Sequence, residues 1–288
     1  MTTKTKTAPD AAFHWECQPT AAALVQQLVD DFCERSPAAL RLKEKLLRET
    51  GTRLADWVDH IALPGDEVDR AALADAGFTF SEIDGVPVAE HAGGIFPMLR
   101  LDGTSFGLGV KTEAVGDFLT ANGHKDTPVE GRPWSHFRAA RIASDGDTEL
   151  WVVERHGYRG FTPHILSATE VAAVLHHEEA FRCRRRLFDR EADGFDHAMQ
   201  LAAAAKADLG VDRACEIYFR AERDYWMGRN RAGRLQRARQ DTLGLGWGNH
   251  DHHTYRSSRE HFHRLIAFLE SLGMHCRERF YAGVEAGW

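Results

Sequence analysis

Residues 58–80 read "VDHIALPGDEVDRAALADAGFTF", and the fold turns on how this stretch is read. The run to Leu63 is largely apolar and stops at Pro64-Gly65, as a strand closed by a turn does. "EVDRAALADAGF" then spaces its apolar residues as a short helix, with Gly77 as its stop, and Thr79-Phe80 opens a new strand. Residues 250–276, "HDHHTYRSSREHFHRLIAFLESLGMHC", follow the same plan. Asp59-His60 and Asp251-His252 occupy the first strand of each copy, and Gly77 and Gly273 end the helices, 17 and 21 residues beyond the histidines. A plan that recurs predicts a repeated supersecondary unit.

Working outward, "TFSEI", "VPVAEHA" and "IFPMLRL" read as short strands separated by Asp84-Gly85 and Gly93-Gly94. A second round follows: "SFGLGVKT" as a strand, "EAVGDFLTANG" as a helix, then "HFRAARIAS" and "TELWVVERHGY" as strands about an Asp145-Gly146 turn. Residues 21–49 have helical periodicity, with Ser36-Pro37 starting a second helix and Gly51 closing it. Residues 167–240 are helical and charged, opened by a capping arrangement in which Ser167 is the N-cap and Glu170 the N3 residue; two or three amphipathic helices are expected over 178–241. "NHDHHTYR" reads as a strand, "SSREHFHRLIAFLESLG" as a helix capped by Ser257 or Ser258, and "MHCRERFYAG" as a strand. The expected class is α+β, with a helical segment over 1–50, paired βαβββ-like modules over 51–166, a helical insertion over 167–243 and a third, incomplete βα module over 244–288.

A βαβββ unit with a histidine on its first strand resembles the vicinal oxygen chelate superfamily, which includes glyoxalase I, extradiol dioxygenases and the iron-dependent 2-oxoadipate-type dioxygenase/decarboxylases. The resemblance covers roughly residues 53–160 and 245–288. It implies a cupped mixed sheet around one divalent metal held by two His and one Glu or a close variant. It also implies Fe(II) with an oxygenase activity, or Zn, Mn or Ni with lyase or isomerase chemistry, or a metal-free ligand-binding cup. The third module breaks off after "YAGVEAGW", where the superfamily has further strands, so the expectation is either a shortened chain or closure of the sheet by the inserted helices or by a second copy in a homodimer.

The repeat makes His60 and His252 the first choices for metal ligands, since neutral imidazole with carboxylate suits Fe(II), Mn(II) and Zn(II). Glu154, in "LWVVERHGY", is the carboxylate of choice: an ionisable group on an otherwise apolar strand needs a partner or a metal. Glu285 is the second choice. If 250–256 is a strand, alternation puts His252 and Arg256 on one face and His253 and Tyr255 on the other. On the first face Arg256 would clamp a substrate carboxylate; on the second, His253 would be the ligand and Tyr255 the acid or base. A small oxo or hydroxy acid is the natural candidate substrate.

Bulk properties narrow the field. A formal charge of -7 disfavours nucleic acid or a membrane surface as partners, although the run from Tyr218 to Asp241 holds seven arginines. Glu222, Asp224 and Asp241 interrupt it, so a solvated face or a helix packed over the active site is expected. No stretch of 18 apolar residues occurs and the N-terminus has no apolar leader, so the cytoplasm is the expected location. The five cysteines form no Cys-x-x-Cys pair, which points any metal site towards nitrogen and oxygen ligands. "LGLGWG" lacks the spacing of a dinucleotide-binding loop.

Overall fold

The computed structural model describes residues 17–66, 68–249 and 253–276. Helices α1 (Pro19–Arg35) and α2 (Pro37–Thr50) form a hairpin. Ser36 sits between them, accepts the Ala39 amide at 3.3 Å as the N-cap of α2, and donates to Asp145 at 3.1 Å. Both helices turn an apolar stripe inward, through Val25, Val29 and Phe32 on one and Ala39, Leu42 and Leu46 on the other.

The first module runs β1 (Val58–Pro64), α3 (Arg70–Asp75), β2 (Thr79–Ile83), β3 (Val86–Glu90) and β4 (Met98–Gly103). The second runs β5 (Phe106–Lys111), α4 (Val115–Ala121), β6 (Phe137–Asp145) and β7 (Thr148–Arg155). Together they form one open seven-stranded mixed sheet in the order β2-β3-β4-β1-β5-β7-β6. In each module the first strand pairs in parallel with the last, β1 with β4 and β5 with β7. The modules meet through their first strands, antiparallel, with His60 opposite Gly109 and Ile61 opposite Leu108. The α+β class and the mixed sheet therefore stand as the sequence indicated. The second module has two strands after its helix, and an isolated bridge between Glu130 and Ala139 lies where another would be.

The two faces of the sheet have different tasks. Ile61, Leu99, Leu108, Val110, Leu150 and Val152 pack with α1, α2 and α4 in the main core. The other face carries Val88, Phe137, Ala139 and Val153, with Phe161 laid over them. A third cluster is purely helical: α5 (Ala168–Arg182), α6 (Glu191–Leu209), α7 (Val211–Met227) and α9 (Phe262–Ser271) close around Phe181, Ile217, Tyr218 and Phe268. With α8 (Arg231–Asp241), four helices fill 168–241. The stretch 178–241 holds the end of α5 and all of α6, α7 and α8, where two or three helices were expected. Ser167 caps α5 through the reciprocal pattern with Glu170.

Residues 243–248 fasten this layer to the sheet. Leu243 and Leu245 are buried in the main core, and the Leu245 carbonyl accepts the Glu113 amide at 3.0 Å. Gly244 (φ +64°) lies so close to α4 that a Cβ there would fall 2.3 Å from the Asp117 carbonyl oxygen.

The C-terminal expectations change. Residues 253–256 have no strand pairing, so they are irregular chain, and α9 begins at Phe262 with His261 as N-cap in place of Ser257 or Ser258. Among the described residues of 244–276 the regular element is α9, packed in the helical layer, and none adds a strand to the sheet. His250, Asp251, His252 and Glu285 lie outside the described residues. No helix among the described residues is long and apolar enough to cross a membrane.

Candidate active site

The site begins with one extra residue in β1. Val58 pairs with Val110 and His60 with Gly109, so Asp59 is the additional residue of a β-bulge. Val58 and Ile61 both enter the main core. Between them, Asp59 and His60 reach the opposite face together, which plain alternation forbids. Their side chains are 6% exposed, and Asp59 Oδ2 lies 2.8 Å from His60 Nδ1.

Arg155, from the end of β7, crosses β5 to hold the carboxylate. Its Nε donates to Asp59 Oδ1 at 2.7 Å and its second terminal nitrogen to Oδ2 at 2.9 Å. The same guanidinium donates to the carbonyls of Tyr158 and Gly160 and lies 4.8 Å from the ring centres of both Phe137 and Phe161. Burial pushes the Asp59 carboxyl upward, but Arg155 and His60 outweigh it and hold the group below the usual carboxylate range. For His60, burial is the largest influence and lowers the pKa; Asp59 opposes it, while Arg155 and Arg100 reinforce it. A neutral imidazole beside an ionised carboxylate places its proton on Nδ1, so Nε2 carries the lone pair.

The imidazole lies flat over β5. A Cβ at position 109 would sit 2.4 Å from Cε1 and 2.5 Å from Nδ1 of His60, so only glycine admits the ring. Phe161 closes it edge-on at 4.9 Å between ring centres. The ring borders a cavity of about 340 Å³ whose floor is kept low by Ala62, Gly107 and Ala139. Arg100, Trp151 and Glu149 line its walls. Glu149 receives Trp151 Nε1 at 3.2 Å, and Arg100 lies 4.6 Å from the centre of the Phe161 ring while pairing with Asp102. This is a mostly preformed concave site with convergent polar groups, the usual form of a small-molecule pocket.

Matched with no protein-family model, no curated protein and no solved structure, the chain stands on this geometry alone.

The candidate residues separate into three places. His60 is in the sheet cavity. Glu154 is on the same strand as Trp151 and Val153 but points to the other face, where Oε2 accepts the Val115 amide that starts α4 and Arg138, both at 2.9 Å, and Oε1 meets His156 at 2.7 Å. The structure does not bring Glu154 to His60; it caps a helix and pairs an arginine. His253, Tyr255 and Arg256 lie in the helical layer, where the His253 ring is 5.0 Å from that of Phe219. Tyr255 and Arg256 line the same cavity there, because the strand alternation that would part them is absent. Among the described residues no three His, Cys, Asp or Glu side chains converge as a metal site.

Sequence reasoning passed over Asp59 as a functional group and missed Arg155, Arg100 and Gly109. The Asp-His adjacency and the Gly-x-Gly of β5 were the available signals, but the bulge that joins them has no sequence signature.

Proposed function

We propose that the sheet cavity is the active site of a metal-dependent enzyme acting on a small carboxylate, with His60 as one ligand of the cation. The observation that carries this is His60 itself: neutral, braced through Nδ1 by a buried carboxylate, and bordering a cavity. Histidine ligands are oriented in this way by an outer carboxylate, which fixes the tautomer and strengthens the ring as a donor. The donor chemistry of His60 fits a divalent cation; Glu154, with its oxygens engaged on the far face, does not. His252 is the second ligand that the sequence repeat suggests; it lies outside the described residues, and residues 253–256 after it do not form the strand of that repeat. A bound cation would polarise an oxo or hydroxy group of the substrate, and Arg100, which lines the cavity and pairs with Asp102, is the arginine proposed to meet the carboxylate. Fe(II) with oxygen consumption is the form of this chemistry the superfamily resemblance favours; Zn, Mn or Ni would serve a lyase or isomerase.

Elemental analysis of anaerobically purified protein, with oxygen-uptake screening across 2-oxo acids, tests the reading. One equivalent of metal, lost in His60→Ala, supports it. A second reading makes His60 a metal-free general base oriented by Asp59, and the 2.8 Å contact between Asp59 Oδ2 and His60 Nδ1 is the observation behind it. Turnover that survives chelation but not His60→Ala would select that alternative.

A further inference from the structure

The helical layer holds a second cavity, of about 530 Å³, unrelated to His60. Its polar wall is built on Glu222 of α7, 2% exposed. Two arginines from the break between α5 and α6 converge on this one carboxylate. Arg184 donates through Nε at 3.1 Å and a terminal nitrogen at 2.7 Å, both to Oε1; Arg186 donates through its two terminal nitrogens, at 2.7 Å to Oε1 and 3.1 Å to Oε2. The arginine side chains are 13% and 14% exposed. Burial would raise the Glu222 pKa, but the two arginines overcome it and keep the carboxylate ionised.

One buried carboxylate balances one guanidinium, so among the described residues this wall has a surplus cation in a desolvated setting, which is costly unless an anion meets it. Arg256 also lines the cavity, and the other acidic lining residue, Glu191, is largely exposed and receives the Ser258 hydroxyl at 2.7 Å. The apolar part of the lining includes Phe188, Phe195, Leu265 and Phe268, with Ser257 and Ser258 beside it. Tyr225 presents a ring held between Arg186 at 3.5 Å and Arg229 at 3.7 Å. Burial raises the pKa of Tyr255, so its hydroxyl remains protonated.

We propose that this cavity binds a small organic anion, a carboxylate or sulfonate on an aromatic body, with Arg184, Arg186 and Arg256 facing the charge and the phenylalanines facing the ring. A volume of this size suits a ligand of one or two rings. The site stands apart from the sheet cavity and would serve a regulatory ligand or a second substrate.

The test is titration of the full chain with 8-anilinonaphthalene-1-sulfonate, followed by displacement with benzoate and with benzamide, its neutral counterpart. Saturable one-to-one binding is expected, with benzoate displacing the dye at least about tenfold better than benzamide. Arg184→Gln and Arg186→Gln each leave Glu222 paired with the other arginine, so both are expected to melt cooperatively and bind the dye about tenfold more weakly. If neither folds, Arg256→Gln removes a third arginine that lines the cavity, with an expected loss of about threefold. Dye binding that does not saturate, equal displacement by benzamide, or parent affinity in the folded variants would overturn the proposal.

Discussion

The sheet and the helical layer each bury a carboxylate under arginine, and they use it differently. Asp59 takes one arginine, Arg155, and shares Oδ2 between it and His60. Glu222 takes two arginines, and among the described residues no third side chain hydrogen-bonds to it. The first arrangement is charge-balanced and hands its polarity to a neutral imidazole; the second leaves positive charge at a cavity wall. A buried ion pair is thus no guide to function until one asks what else the carboxylate meets.

Removing each carboxylate tests the contrast most strongly. Asp59→Ala and Glu222→Ala both strand buried guanidinium groups and should cost about 3–5 kcal/mol each in denaturant unfolding. Only Asp59→Ala should also weaken metal binding at the sheet cavity; loss of metal in Glu222→Ala as well would mean the two regions are one site. Gly109→Ala is the next largest. The added methyl displaces the His60 ring, costing about 1–3 kcal/mol and lowering activity more than the stability loss accounts for. An unchanged activity would place the reacting chemistry elsewhere.

Acid should separate the regions more gently. His60 has a lowered pKa in the fold, so the unfolded chain binds the extra proton first. Its contribution is complete above about pH 6.5 and is lost as pH falls from there towards the lowered folded value. Glu222 is also lowered, from 4.5, so its contribution is lost only below about pH 4.5. In metal-free protein, His60→Gln should therefore flatten the stability profile just below pH 6.5 and leave the more acidic limb in place. A profile unchanged by that substitution would show that His60 is not held neutral. Ser167→Ala, which removes the α5 cap far from both sites, should cost about 1 kcal/mol and alter neither.

Much of the fold was legible in residues 51–166. Alternating apolar runs and Gly or Asp-Gly breaks marked all seven strands, and the capping residues Ser36 and Ser167 marked helix starts, because these signals are local. The C-terminal region was less so. "HDHHTYR" has the residue pattern of the β1 strand, but 253–256 make no strand pairing, and alternation within an unpaired segment assigns no faces. Glu154 shows the same limit in reverse. Its strand was right and its burial was right, yet whether an inward carboxylate meets a cavity or a helix start depends on what covers each face, which is tertiary information. The arginines around Glu222 lie 36 and 38 residues away in sequence, and no periodicity links them.

One residue's worth of backbone in β1 sets the phase of everything before and after it. With Asp59 inserted, Val58 and Ile61 both keep their places among the aliphatic side chains while two neighbouring polar residues come out side by side. Deleting a single residue there would not merely remove an aspartate. It would force either the hydrocarbon or the imidazole to change sides, so stability and chemistry are locked to the same backbone irregularity and neither can drift without the other.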